Sequence, residues 1–284
     1  MPDNVQDEIA RRRAAYAAEI TQRSGVKDPR IKAAFAAVPR EDFAGPGPWV
    51  IGSGGLYHRA FDSDPIRLYD DVLVAIDERR GINNGQPSLH AQSIDALALK
   101  EGETVVHIGA GAGYYTAILA CLVGRSGKVI AYEIEPDIAE RARLNLAHLP
   151  HVEVRARSGV DAALPPADAI YVNAAAAFPV KAWLAAMKPG GRLLFPLQAA
   201  HSTGAMLLIT RPETGGKWAA RFLSGVVFIP CLGAQNLIAG GRLEEAFRRG
   251  GAERVRSLRF GADERASDWL RGDGWALSTE PAGE

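Results

Sequence analysis

The sequence predicts an α/β fold: a doubly wound, mostly parallel seven-stranded sheet, with a terminal antiparallel hairpin and small N- and C-terminal additions. Three observations carry this. Apolar β-rich runs alternate with helical stretches from Thr104 to Pro196, and such alternation means βαβ units with parallel pairing. A glycine cluster, Gly109-Ala110-Gly111-Ala112-Gly113, stands directly between one such run and the next helix. Beyond Pro196, two further strand-like runs are separated by a turn-rich stretch through Gly215-Gly216, which suits a hairpin.

The elements follow in order. Residues 7–23 read as an amphipathic helix with Ile9, Ala10, Tyr16, Ala17 and Ile20 along one side. A second helix over about Pro29 to Val38 stops at Pro39, because the residue before a proline leaves the helical region. Gly45 to Asp64, rich in glycine and proline, reads as loop. A helix after Ser88 runs to about Leu99. Strands follow over 104–108, 128–132, 152–156, 169–172, 192–196, 205–210 and 225–230, with helices over about 114–123, 136–148 and 180–187 between the earlier ones. Residues 1–80 thus form a helical and loop region, 81–234 a ligand-binding α/β domain, and 235–284 an extension.

Composition narrows the function. Lys plus Arg is 33 and Asp plus Glu is 33, so the formal charge is zero, which argues against a nucleic-acid or anionic-membrane coat. The start, Met1-Pro2-Asp3-Asn4 through Arg11-Arg12-Arg13, has no apolar stretch, and Ala117 to Val123 is far too short to span a bilayer. A cytoplasmic protein is expected. Cys121 and Cys231 lie far apart in apolar settings and read as small core residues, not as a disulfide or a metal site.

Glycine in the cluster allows positive φ and lets a ligand approach the backbone where a Cβ would collide. The helix after it offers unpaired N–H groups to a carboxylate or phosphate. Glu133 falls at the end of the next strand, where an acid can accept hydrogen bonds from ribose hydroxyls; its alternative is a charge before the helix at Pro136. A dinucleotide fingerprint would need its third glycine at Tyr114. The pattern is G-x-G-x-G instead, the form typical of S-adenosylmethionine binders, and NAD is the weaker reading.

From Asp28 to Ala234 the chain resembles the protein-L-isoaspartate O-methyltransferases. Val38-Pro39-Arg40-Glu41-Asp42-Phe43 is similar to the family's V-P-R-E-x-F, and Tyr69-Asp70-Asp71 to its Y-x-D. Val105 to Thr116 resembles V-L-D-I-G-S-G-S-G-Y-x-T, and Asp168 to Ala176 resembles D-A-I-x-V-x-A-A-A. Leu184 to Pro196 looks like L-x-x-L-K-P-G-G-R-L-x-x-P, and Val226 to Gly233 like V-x-F-V-P-L-x-G. These segments fall in order at nearly the family's spacing. The resemblance implies a Rossmann-like methyltransferase fold, S-adenosylmethionine as cofactor, and cofactor contacts at His107, Gly109, Gly111, Gly113, Tyr114, Glu133, Ser158, Gly159 and Asn173.

Departures cluster in the pocket. Gly81 to Ala91 lies on the family's G-Q-T-I-S-x-P-x-M-H-A, and Pro87, His90 and Ala91 agree. The family's active-site serine, however, falls on Gly85, with Asn83 and Asn84 beside it. The acid opening the glycine motif is His107, and the family's adenine-binding G-D-G reads Arg157-Ser158-Gly159. Asn83, Asn84, Gly85 and His90 are therefore the candidate substrate loop, and no catalytic residue or metal site is assigned. Methyl transfer to a carboxylate needs alignment and exclusion of water more than proton chemistry, so losing one hydroxyl need not abolish it.

The leading expectation is an S-adenosylmethionine-dependent carboxyl O-methyltransferase acting on a protein or peptide. The alternatives are a different peptide or small-molecule acceptor, or a catalytically silent cofactor-binding module. Neither nucleic acid nor membrane is an expected partner. The extension reads as a small subdomain or as an arm for homo-oligomerisation.

Overall fold

The computed structural model describes residues 2–53 and 56–283. The chain opens with helices α1 (Pro2–Arg23), α2 (Pro29–Ala37) and α3 (Glu41–Ala44), then strands β1 (Val50–Ser53), β2 (Leu56–Arg59), β3 (Leu73–Asp77) and β4 (Ile82–Asn83). There follow α4 (Pro87–Leu97), β5 (Thr104–Ile108), α5 (Tyr114–Val123), β6 (Lys128–Glu133), α6 (Pro136–Asn145), β7 (Val152–Ala156) and β8 (Ala167–Val172). The remainder is α7 (Lys181–Ala186), β9 (Met187–Leu197), β10 (Gly204–Thr210), β11 (Trp218–Val226), α8 (Leu237–Arg249), β12 (Ser257–Phe260), β13 (Asp268–Gly272) and β14 (Trp275–Ser278). Two packed units share the chain: Met1–Gly102 with Ala110–Arg157, and Glu103–Gly109 with Ser158–Glu284.

In the first unit, α1 buries Ile9, Tyr16, Ala17 and Ile20, a stripe at helical spacing, while Ala10 is exposed. Asp28 caps α2 by accepting from Arg30 N at 2.9 Å, and Pro29 occupies the first helical position, where its missing N–H costs nothing. The region expected as loop holds β1 and β2, paired antiparallel with Val50 opposite Arg59, in a small sheet ordered β2-β1-β3-β4. Every residue of β2 is exposed, so no alternation of polar and apolar residues marked it in the sequence. The parallel pair β6 and β7 completes this unit.

Arg40, from the V-P-R-E segment, organises it. The side chain is fully buried. Its Nη1 donates to the carbonyls of Leu68 at 2.5 Å and Asp70 at 3.1 Å. Its Nη2 donates to the carbonyl of Val72 at 2.6 Å and to Asn84 Oδ1 at 3.3 Å. The guanidinium lies 5.9 Å from the ring centroids of both Tyr16 and Tyr114. Tyr69, from the Y-x-D segment, accepts from Arg40 N at 3.2 Å and donates to Glu41. Two motifs far apart in sequence are thus one hydrogen-bonded cluster.

The second unit holds strands in the order β13-β14-β12-β11-β10-β9-β8-β5. β5, β8 and β9 run parallel, and from β9 onward each pairing is antiparallel. The hairpin partner expected at 225–230 is β11 at Trp218–Val226; beyond it the backbone leaves the ladder for other partners, Phe228 N donating to Gln198 Oε1 at 2.8 Å and Ile229 O accepting from Ala175 N at 2.8 Å, and Pro230 forms only an isolated bridge with Ala175. The extension adds β12, β14 and β13 to the sheet and packs α8 on it through mutual edge contacts of Phe222, Phe247 and Trp269 at 5.2–5.6 Å. Cys231 is buried as expected, whereas Cys121 is the exposed position of an otherwise buried α5.

His107, on β5, is fully buried and stacks on Tyr171 of β8, its register partner, at 5.5 Å between centroids. Asn173 Nδ2 donates to its Nε2 at 2.8 Å, which requires a neutral ring, and burial pulls the imidazole down to a pKa of about 3.

Two outcomes follow. Arg40→Met strands the carbonyls of Leu68, Asp70 and Val72, and at roughly 1–3 kcal/mol per unsatisfied buried group it should cost about 3 kcal/mol or more in urea unfolding. A loss below about 1 kcal/mol would reject the cluster as an organising element. For His107, the unfolded chain takes up a proton as pH falls below about 6.5, while the folded chain declines it until about 3. Stability should therefore drop with falling pH, this residue contributing about 1.4 kcal/mol per unit between those limits. Urea midpoints at pH 6.5 and 4.5 should converge more in His107→Gln than in wild type; equal slopes would contradict a neutral buried ring.

Candidate functional site

The first unit supplies most of the glycine loop. Gly111 has φ +55° and Gly113 φ +98°, left-handed conformations in which a side chain is strained. At Gly111 a Cβ would also press to 3.0 Å from Ile76 Cδ1. Gly113 is the N-cap of α5 and has no side chain with which to cap it, so the loop delivers the positive end of a ten-residue helix. Glu133 closes the loop from the end of β6: Oε2 accepts from Gly111 N at 2.7 Å and Oε1 from Glu135 N at 3.1 Å. The residue is 7% exposed, and burial raises its pKa against those bonds. Each oxygen keeps acceptor capacity, which suits a diol such as a ribose.

Tyr114, expected beside the cofactor, sends its ring into an aromatic cluster with Phe35, Phe43 and Tyr115. Only its backbone belongs to the helix start.

The second unit supplies His107, Gly109, Ser158, Gly159 and Asn173. Gly109 has φ +76°, and a Cβ there would lie 3.3 Å from the Asn173 carbonyl carbon. Asn173 N donates to Ile108 O at 2.8 Å, fixing the residue at the end of β8. Its Nδ2 is held by His107, and its Oδ1 is buried without a hydrogen-bond partner among the described residues. An orphaned acceptor of this kind asks for a donor, such as the amino group or hydroxyl of a bound nucleoside. Ser158 Oγ accepts from Val160 N at 3.1 Å, and the Gly159 carbonyl accepts from Trp183 Nε1 at 2.9 Å, so both shape a turn. A Cβ at Gly159 would meet Ile108 Cγ1 at 2.9 Å.

The candidate substrate loop is more built than its sequence suggests. Asn83 Oδ1 accepts from Gly85 N at 2.9 Å, and Asn84 Oδ1 accepts from Val74 N at 2.9 Å as well as from Arg40. Both amide oxygens are spent on holding the loop. Asp71 pins the start of α4, accepting from Ser88 N at 2.8 Å and Ser88 Oγ at 2.7 Å. His90 lies in the first turn of that helix, stacked 3.7 Å from Tyr115 at 12°. Arg40, Asp71 and Tyr115 were not among the expected site residues. The signal for the first two was their place in segments that match the family's V-P-R-E-x-F and Y-x-D; nothing local marked Tyr115.

Among the described residues no cluster of His, Cys, Asp or Glu could hold a metal ion, and no helix is long and apolar enough to cross a membrane.

Comparison with known proteins agrees with this geometry. Residues 12–236 match the family model for protein-L-isoaspartate(D-aspartate) O-methyltransferase, leaving 237–284 outside the match. A protein-L-isoaspartate O-methyltransferase 1 of Rhodopseudomonas palustris strain HaA2 is 33% identical over 235 residues, covering 81% of this chain and 86% of the relative. The Methanococcus aeolicus protein-L-isoaspartate O-methyltransferase is 29% identical over 216 residues, covering 73% and 88%. A solved protein-L-isoaspartate O-methyltransferase superposes with a TM-score of 0.65 at 23% identity, covering 89% of this chain and 72% of its own; at that identity the likeness carries the fold. A Plasmodium falciparum structure of the same description, in complex with S-adenosyl-L-homocysteine, gives 0.61 at 18%, covering 77% and 97%. Together the matched span and these identities show that the chain belongs to the protein-L-isoaspartate O-methyltransferase family, a family of S-adenosylmethionine-dependent methyltransferases.

Proposed function

We propose that the chain methylates a carboxylate of a protein or peptide, with S-adenosylmethionine held by Gly109, Gly111, Gly113 and Glu133 and flanked by His107, Ser158, Gly159 and Asn173. The observation that carries this is Glu133, buried at the end of β6 and hydrogen-bonded to Gly111 N, so that acid and glycine loop are set as one piece. Residues 81–234 are the cofactor-binding domain in this reading, preceded by the region 1–80 and followed by the extension 235–284.

When bound, S-adenosylmethionine supplies a sulfonium methyl that a carboxylate oxygen can attack without prior deprotonation. What the chain must add is therefore alignment and dryness. Glu133 offers acceptors to a ribose, the start of α5 offers donors and a positive field to a carboxylate, and Asn173 Oδ1 offers an acceptor to a nitrogen or hydroxyl. His107 orients Asn173 and stays neutral, so it takes the place of the family's acid without its charge. Cofactor affinity should accordingly lie below that of relatives with an acid there, by roughly 1–3 kcal/mol.

Asn83, Asn84, Gly85 and His90 form the acceptor side. Because both asparagine oxygens already serve the loop, a different peptide or a small-molecule acceptor is the second reading. The zero net charge favours neither nucleic acid nor membrane as partner, and a cytoplasmic location fits the composition. Leu237 and Ile238, 97% and 69% exposed at the start of α8, support self-association through the extension.

Calorimetry with S-adenosylhomocysteine tests the cofactor assignment. Gly111→Val should abolish binding, through a strained backbone and a side chain in the loop. Glu133→Ala should weaken it about 10- to 100-fold, the scale of a lost charge-assisted pair of hydrogen bonds. Native melting with undiminished affinity in both variants would overturn the assignment.

A further inference from the structure

Position 85 is closed by its neighbour. Gly85 has φ +71°, and a Cβ built on it would stand 2.1 Å from His90 Nε2, 3.0 Å from Cδ2 and 3.2 Å from Cε1. Atoms do not approach so closely, so the edge of the imidazole already fills the space of a side chain at 85. The ring cannot swing away cheaply. His90 is 1% exposed, its ring lies flat on Tyr115 with centroids 3.7 Å apart, and its helix is pinned by Asp71 through Ser88. Tyr115 also donates its hydroxyl to the Gly85 carbonyl at 3.4 Å. Gly85, His90 and Tyr115 are one interlocked set.

We propose that His90 is the specificity-determining residue of the acceptor loop, its imidazole edge standing where the resemblance places the family's serine side chain, with Tyr115 as the positioning residue beneath it. This rests on the reading of 81–234 as a carboxyl methyltransferase domain. A serine hydroxyl rotates, donating and accepting as the acceptor requires. An imidazole nitrogen does one or the other, in the fixed plane of a stacked ring. An acceptor oriented by a hydroxyl at this place loses its partner, and misalignment alone can cost on the order of a hundredfold in rate. The wild-type chain should therefore be a poor catalyst of isoaspartyl methylation. The change at 85 and the placement of His90 are also coupled: the family's motif carries serine and histidine together, whereas on this backbone, with Gly85 at φ +71°, a side chain at 85 collides with the ring where it now stands.

The experiment is a double-mutant cycle of wild type, Gly85→Ser, His90→Ala and Gly85→Ser/His90→Ala. Each protein is measured for melting temperature, calorimetric binding of S-adenosylhomocysteine, and methyl transfer to two peptides. One peptide bears an isoaspartyl residue; the other has the same sequence with only its C-terminal carboxylate free. Gly85→Ser should melt well below wild type and gain no isoaspartyl turnover. The double variant should recover the collision part of that loss, keeping only the strain of serine at positive φ. It should also raise kcat/KM on the isoaspartyl peptide at least about tenfold over wild type, carried by kcat, without an equal gain on the other peptide. Additive melting shifts around the cycle would overturn the proposal, as would an isoaspartyl gain in Gly85→Ser alone at wild-type stability. If the double variant binds S-adenosylhomocysteine normally yet gains nothing, the specificity role falls while the methyltransferase reading stands. Failure of the wild type itself to bind S-adenosylhomocysteine would remove that reading instead.

Discussion

A single buried cation orders the segments 68–72 and 83–90 of the first unit. Arg40 has no carboxylate within ion-pair distance among the described residues, so its charge is met by backbone carbonyls of residues 68, 70 and 72, by Asn84 Oδ1, and by the faces of Tyr16 and Tyr114. Burying a guanidinium is costly unless its donors are satisfied; here both Nη groups are, while Nε has no hydrogen-bond partner among the described residues, and that cost makes the arrangement discriminating. Only a backbone that brings those carbonyls to one point can accept it. The run 68–72 is thereby fixed, and with it Asp71, whose carboxylate sets the start of α4 and so the height of His90. Asn84 is fixed by the same group, and Asn83 then turns the chain through Gly85. The proposed substrate loop is the far end of a chain of constraints that begins at residue 40.

The glycine loop obeys a different rule. Its conformation is stored in backbone angles that only glycine takes without strain, and the stored shape is held by Glu133. Burial pushes the Glu133 carboxyl up, while hydrogen bonds from Glu135 N and Gly111 N pull it back. A group balanced in this way is a strong acceptor that is only partly solvated, which is the useful condition for gripping hydroxyls. In the second unit, His107 and Asn173 form a hydrogen-bonded pair without charge. A neutral imidazole accepts one amide proton and leaves the amide oxygen buried, without a hydrogen-bond partner among the described residues.

Much of this is legible in the sequence alone. The strand–glycine–helix order announces the loop, and the βαβ alternation announces the parallel strands, because both signals are local and periodic. The pair β1 and β2 is not legible: β2 is exposed along its whole length and the region is punctuated by glycine and proline. β11 is misplaced by its sequence because its burial does not alternate and the apolar run after it looks more strand-like than the strand itself. Within the site, the glycines and Glu133 can be read from spacing. The roles of Tyr114 and Asn84 cannot, since each depends on Arg40, which is distant in sequence from both. Sequence order shows which residues are present; it does not show which polar atoms are already spent.

That distinction bears on how a resemblance is carried over. Aligning Gly85 with a serine suggests a missing hydroxyl and an opening in the loop. The structure contains no opening there, since the imidazole of His90 fills it and the stack on Tyr115 keeps it filled. The resemblance aligns His90 with a histidine, so a residue-by-residue comparison scores one loss and one match. Physically the two positions are one unit in this chain, since the space a side chain at 85 would take is held by the ring edge of His90. A match at His90 therefore says nothing of where its ring stands, and the glycine at 85 is what leaves room for it there.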